Sequence, residues 1–270
     1  MGKGISIHIG LNHVDPAQYE GWDGALNACV ADATDMRALA KKCGFKDNTM
    51  LLDKAATASA VGAAIGTAAK SLSKGDMLFL TYSGHGGQVK DRNADEKDRM
   101  DETWVLFDRE LVDDEMYTLW GKFKAGVRIL VLSDSCHSGT VAKDFRPSLN
   151  GGPRPRFMPR PVAEQVEKAH AALYRRIQME NKGSEKAKVG ASVLLISGCM
   201  DNQTSMDGDH NGAFTEQLLR VWDDGRFDPE HGDYVKFHGT IKAGMPATQT
   251  PNLFTLGPSA AFARQRPFTI

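Results

Sequence analysis

Three short stretches of unbroken apolar sequence limit what this chain can fold into: Met77-Leu-Phe-Leu-Thr-Tyr82, Arg128-Ile-Leu-Val-Leu132 and Ser192-Val-Leu-Leu-Ile196. A strand with one wet face alternates apolar and polar residues. Runs without that alternation need cover on both faces, which a parallel sheet between two helical layers provides. Ile5-Ser-Ile7-His-Ile9 reads as a further strand, with Met50-Leu51-Leu52 and Trp104-Val-Leu-Phe107 as shorter ones. Leu26, Val30, Ala33, Met36, Ala40 and Cys43 recur at three- and four-residue steps, predicting a helix that Gly44 ends. Val61, Ile65, Ala68 and Leu72 predict a second helix over about 59–72, and a short third runs from Asp113 to Trp120. Strands alternating with helices predict an α/β fold, a central, mostly parallel sheet flanked by helices on both faces.

The chain has 270 residues, a length that buries on the order of 70% of its unfolded surface without disulfide staples. Its four cysteines, Cys29, Cys43, Cys136 and Cys199, contain no CxxC pair. They read as buried thiols or a nucleophile, and the redox setting as reducing and cytoplasmic. Thirty-three basic against 34 acidic residues give a net charge of −1, which removes a global basic field for nucleic acid. No apolar run approaches the ~18 residues of a membrane helix. The expectation is a monomer with neither nucleic acid nor membrane as partner.

Two of the core strands run into small-residue turns with reactive side chains, Tyr82-Ser-Gly-His85-Gly-Gly-Gln88 and Asp134-Ser-Cys136-His-Ser-Gly139. In open α/β sheets the ligand crevice lies at the carboxyl ends of the strands, so both turns are expected to face one cleft. A thiol beside an imidazole is a nucleophile with its base, and backbone N–H groups of such turns can hold an oxyanion. Either residue alone is more often structural. A zinc reading of His85, Cys136 and His137 requires adjacent ligands from one tight turn, which is poor tetrahedral geometry. No GxGxxG or GxxxxGK[ST] loop follows any strand, which counts against a nucleotide-binding sheet.

These two motifs resemble the histidine and nucleophile motifs of the caspase-like cysteine peptidases, and most closely those of metacaspases of the prokaryotic or type I-like kind without a prodomain. Leu26-Asn-Ala-Cys29-Val-Ala-Asp32-Ala, Asp113-Asp114-Glu115, Ser197–Ser205, Asn211-Gly-Ala-Phe-Thr215 and Gln249-Thr-Pro251 extend the resemblance over nearly the whole chain. It implies one caspase-like catalytic domain over 1–270, with a large-subunit-like half (1–142), an insertion (143–190) and a small-subunit-like half (191–270). It implies an endopeptidase with a Cys136–His85 dyad, an oxyanion site from the N–H groups of Gly86 and Cys136, and no cofactor for the chemistry. Protein or peptide substrates with basic residues follow from the same source. Cleavage after Arg or Lys is implied by acidic pocket positions matched here by Asp32 and Asp134, with Cys29 and Ser83 beside them. A unit charge pair at ~4 Å and an effective dielectric near 20 is worth roughly 4 kcal/mol before desolvation, enough to favour a basic residue over an acidic one. Pairing of Asp32 with Arg37 is the plainer alternative.

The resemblance also implies calcium as an activator, at positions matched by Asp101, Asp113 and Asp114, with Asp144 offset from the pattern. The run Asp91 to Glu102 resembles an EF-hand loop at Asp91, Asn93, Asp95 and Glu102, but Glu96 stands where the turn glycine belongs. Asp207-Gly-Asp209-His-Asn211-Gly212 has that glycine but ends on Leu218. Neither is an EF-hand, and a solvated acidic loop remains open as the alternative. The insertion begins Pro- and Arg-rich and continues as an amphipathic helix through Val162, Val166, Ala169, Leu173 and Ile177, read as a surface segment with one helix packing back. The resemblance also implies self-processing, since relatives often cut themselves at basic residues near this junction. Proline follows Arg146, Arg154 and Arg160 directly, leaving Lys143 and Arg156 as the sites to expect in this part, with Lys182, Lys186 and Lys188 beyond.

Overall fold

The structure is a computed structural model and describes residues 2–92, 99–136, 154–185, 187–200, 203 and 205–270. The apolar runs form adjacent strands of a six-stranded sheet: β1 (Gly4–Gly10), β2 (Asp47–Leu52), β3 (Met77–Ser83), β7 (Arg128–Asp134), β8 (Ser192–Ser197) and β9 (Asn252–Leu256). Their order is β2-β1-β3-β7-β8-β9. The first five are parallel and β9 closes the edge antiparallel to β8. A separate antiparallel sheet, β4 (Gly86–Lys90), β5 (Met100–Val105) and β6 (Glu110–Val112), follows the histidine turn.

Strand β3 shows why its sequence does not alternate. Met77 and Phe79 face one core with α1 (Cys29–Lys42), α6 (Ala213–Trp222), α7 (Tyr234–Ala243) and α8 (Ala260–Ala263). Leu78, Leu80 and Tyr82 face the other, with α2 (Ala58–Ser71) and α3 (Asp113–Trp120). Both faces are dry, as the apolar runs require. Helices α1, α2 and α3 lie within a few residues of their expected bounds. The strands β4, β6 and β9 were not legible, being short, glycine-bearing or half exposed. The strand expected at 104–107 is displaced, ending at Val105.

The insertion differs from its expectation. Its helix is two, α4 (Arg160–Ala169) and α5 (Ala171–Glu180), broken at His170. The described part of the Pro- and Arg-rich run is not all surface: Arg154 is exposed, but Arg156 is fully buried, and Phe157 and Met158 are nearly so. The helices are fastened by Arg92–Glu167 at 3.0 Å and by Gln178 donating to Asp101 Oδ2 at 2.7 Å. No helix among the described residues is long and apolar enough to cross a membrane.

Candidate active site

Parallel pairing of β3 with β7 puts Ser83 beside Asp134, so both chemistry-bearing turns leave the sheet at one end. They touch. A Cβ on Gly86 would stand 1.7 Å from the Cys136 carbonyl oxygen, so only glycine permits this approach. His85 is buried with its ring 4.8 Å from that of Trp22. Its Nε2 lies 3.0 Å from the Gly24 carbonyl oxygen, and its Nδ1 has no partner among the described residues. A donor is needed opposite a carbonyl, so Nε2 carries the proton and Nδ1 its lone pair. The Tyr82 hydroxyl, stacked under Trp104, donates to the His85 carbonyl and fixes the turn. Burial lowers the imidazole to about 4, partly offset by the bond to Gly24. Burial also pushes the Cys136 thiol well up, helped by the neighbouring Cys199 thiol and opposed by the Ser205 N–H that points at the sulfur. In this state both members of the pair are uncharged.

The cleft is filled by the chain itself. Backbone N–H groups of Gly86 and Cys136 both donate to the Arg156 carbonyl oxygen, each at 3.0 Å. Arg156 N–H donates to Ser205 O at 2.9 Å and Asp207 N–H to Arg154 O at 2.8 Å, an antiparallel bridge centred on Pro155 and Met206. Proline fits there because the residue between two such bonds turns its own N–H away. Beyond Arg156 the direction of pairing changes, and Met158 N–H donates to Gly86 O at 2.8 Å.

The Arg156 side chain enters a closed pocket of three carboxylates. Its Nη2 lies 2.8 Å from Asp32 Oδ2 and 2.9 Å from Asp207 Oδ1, and its Nη1 3.0 Å from Asp134 Oδ2 and 2.9 Å from Ser83 Oγ. Each carboxylate is also fixed from behind. Asp32 accepts from Ser83 Oγ, Asn211 Nδ2 and the Gly212 N–H. Asp134 accepts from Ser205 Oγ and from the Thr215 N–H and hydroxyl. Asp207 accepts from the N–H groups of Asn27 and Ala28. Burial alone would lower the guanidinium's pKa, but Asp134, Cys29, Asp32 and Asp207 outweigh it and hold it far above its ordinary value. The Asp32 carboxyl is raised by burial, opposed by Arg156. Cys29 is fully buried, its thiol pushed up to about 12.

The sequence-expected residues His85, Gly86, Cys136, Asp32, Asp134, Cys29 and Ser83 thus lie around one cleft. Asp32 meets Arg156, not Arg37. Asp207, Ser205, Asn211 and Thr215 were given no role from sequence. Asp207 and Asn211 stand in the run compared with a cation loop, and nothing local in that run points to Arg156. His137, Lys143, Asp144 and Arg146 lie outside the described residues, as do Asn93, Asp95, Glu96 and Lys186. Asp101 and Asp114 are buried near β5 and the start of α3. Asp113 beside them is pushed up to about 9 by burial and by Asp101, Glu102, Glu185 and Asp114. Oxygen donors of this kind suit calcium, but among the described residues no three acidic side chains converge to ligate an ion.

A buried thiol and imidazole at paired strand ends, with two N–H groups on one carbonyl oxygen, define the class of caspase-like cysteine-peptidase folds. The comparisons narrow this: a caspase-domain family model matches residues 12–257, and the chain belongs to that family. Metacaspase-1 of Candida glabrata is 32% identical over 82% of this chain and 64% of its own length. Metacaspase-1 of Mycosarcoma maydis is 28% identical over 80% and 60%. The chain thus spans about three-fifths of those relatives. A crystal structure of a Geobacter sulfurreducens protein is 56% identical, with TM-score 0.89 and 99% coverage of both chains. Caspase-1 of Spodoptera frugiperda, 11% identical with TM-score 0.58 over 99% and 90%, shares the fold.

Proposed function

We propose that this chain is a cysteine endopeptidase that cleaves after arginine or lysine with a Cys136–His85 dyad, and that it cuts itself between Arg156 and Phe157. The observation that carries this is the Arg156 carbonyl oxygen, 3.0 Å from two backbone N–H groups while its guanidinium fills an acidic pocket. Cys136 Sγ attacks that carbonyl carbon, and charge develops on the oxygen the Gly86 and Cys136 N–H groups already hold. The thiol starts neutral, so its proton moves to His85 Nδ1 as the C–S bond forms. Nε2–H on the Gly24 carbonyl keeps the ring turned and supports the imidazolium. That proton then passes to the Phe157 nitrogen as the amide bond breaks, leaving a thioester that water hydrolyses. Before the cut, the same segment blocks the cleft to other substrates.

Arginine fits better than lysine. A lysine ammonium ends where the guanidinium carbon would stand, one bond short of the two nitrogens that the carboxylates grip. Peptides ending in Arg, Lys or Asp before a fluorogenic group test the reading: the expected order is Arg, then Lys, with no turnover for Asp. Cys136→Ala is expected to abolish hydrolysis and keep the chain at 29.4 kDa. Turnover by that variant refutes the dyad. Calcium enters the proposal only as an activator acting through Asp101, Asp113 and Asp114. Equal rates in chelator and in millimolar calcium discard it.

A further inference from the structure

We infer that the cleft beyond the scissile bond is a built subsite for two large apolar residues, the second with a free N–H. This rests on the proposed peptidase reading and concerns which peptides that site prefers. Three features of the seated segment support it. The first is backbone pairing: Gly86 donates to Arg156 O and accepts from Met158 N–H, a parallel bridge to the strand that begins β4. Those two bonds flank Phe157, so its own N–H is left for the chemistry and only the next residue must supply one. Proline at that second place removes the donor.

The second is the pocket for the residue directly after the cut. Phe157 is 7% exposed and clusters with Cys136 and Cys199. Cys199 has no part in the mechanism above. It is fixed on the turn after β8 by Ser197 Oγ donating to its carbonyl and by its own thiol against Ser135 O. It forms an apolar wall beside the nucleophile. The third is the pocket for the following residue. Met158 is 2% exposed in the larger core, and its methyl lies 3.3 Å from where a Cβ on Gly87 would stand. That same Cβ would come within 2.6 Å of Glu110 Oε2, so glycine at this place keeps room for a long side chain. Beyond Met158 a groove of about 270 Å³ continues between Gln88, Lys90 and Met100 on one side and Arg160 and Glu164 on the other. The charge-lined pocket before the cut and the apolar pair after it thus recognise opposite chemistries.

Four internally quenched peptides sharing Arg-Pro-Arg and continuing Phe-Met, Gly-Gly, Asp-Glu or Phe-Pro separate the possibilities. They are assayed on the full chain beside an Arg-aminocoumarin substrate that has no residues after the cut. The expected kcat/KM is about tenfold higher for Phe-Met than for Gly-Gly, lower again for Asp-Glu, and lost for Phe-Pro. Equal rates for all four, with the aminocoumarin substrate turned over, mean that Phe157 and Met158 fill these pockets only in cis, and overturn the inference. No turnover of the aminocoumarin substrate overturns the peptidase reading instead.

Discussion

Two acidic regions of this molecule meet the same physical problem in different ways. Around Arg156, three buried carboxylates share one guanidinium, and every described oxygen has a hydrogen-bond donor against it. On the β4–β6 side, Glu110 is fully buried, with Thr103 Oγ1 donating to its Oε2, the Tyr174 hydroxyl beside it, and, among the described residues, no partner on Oε1. Burial raises it to about 7. Buried carboxyl groups are stabilised either by a cation or by keeping a proton. The first solution requires an occupant of fixed shape and so specifies a ligand. The second requires nothing from outside and specifies only a pH range. On the proposed reading, that difference makes the first region the recognition site and the second part of the scaffold behind it.

Removing the occupant is the strongest way to break the comparison. Arg156→Ala leaves Asp32, Asp134 and Asp207 around an empty space, and loss of one partner from a buried ion network costs about 3–5 kcal/mol. The Tm is expected to fall by several degrees at neutral pH, and to recover when an arginine amide is added at millimolar concentration, because that ligand binds only the folded pocket. No self-cleavage at this position is expected on gel. A Tm unchanged by the substitution and by the added amide would mean that the three carboxylates are stable without a cation.

What could be read from the sequence divides along the same line. The strands β3 and β7 and the turns after them were legible because unbroken apolar runs and glycine-flanked reactive residues are local signals. Asp32 and Asp134 were legible through the resemblance. Asp207 was not, since its role depends on the chain crossing from α1's N-terminus, where it accepts from Asn27 and Ala28, to the far half 180 residues away. Arg156 was expected as a bond to cut but was not legible as a buried residue. A proline- and arginine-rich run has no periodicity to mark it as packed, and its burial comes from partners distant in sequence. Gly24, the acceptor for His85, left no signal at all, because a backbone carbonyl has no residue type.

The scaffold region yields a smaller effect with a definite sign. In the unfolded chain Glu110 ionises near its ordinary 4.5, and in the fold it keeps its proton to about 7. Folding takes up a proton between those values. The contribution of this group to stability is therefore full below 4.5 and is lost as pH rises towards 7. Glu110→Gln imitates the protonated form. The variant is expected to match the parent at pH 4 and to exceed it at pH 8, by about 3 kcal/mol at most, read from urea midpoints at the two pH values. A variant less stable than the parent at pH 8 would mean that Glu110 is ionised in the fold, and the two regions would then not differ in kind.

The smallest change sharpens the first region without emptying it. Asp207→Asn keeps the side chain's size and removes one charge of three, leaving Asp32 and Asp134 to hold the guanidinium. A hydrogen bond between charged groups contributes about 1.5–3 kcal/mol, so kcat/KM for an Arg peptide is expected to fall about 10- to 100-fold. Much of the loss belongs in KM, because the guanidinium is gripped alike before and during reaction. Lysine has no second nitrogen to reach Asp207, so the Lys peptide is expected to lose less and the Arg-to-Lys ratio to narrow. If both peptides fall by the same factor, Asp207 acts on the pocket by fixing Asn27 and Ala28 at the start of α1 and not by contacting the substrate. The ratio measured on this one variant thus separates a residue that recognises arginine from one that only positions Asp32.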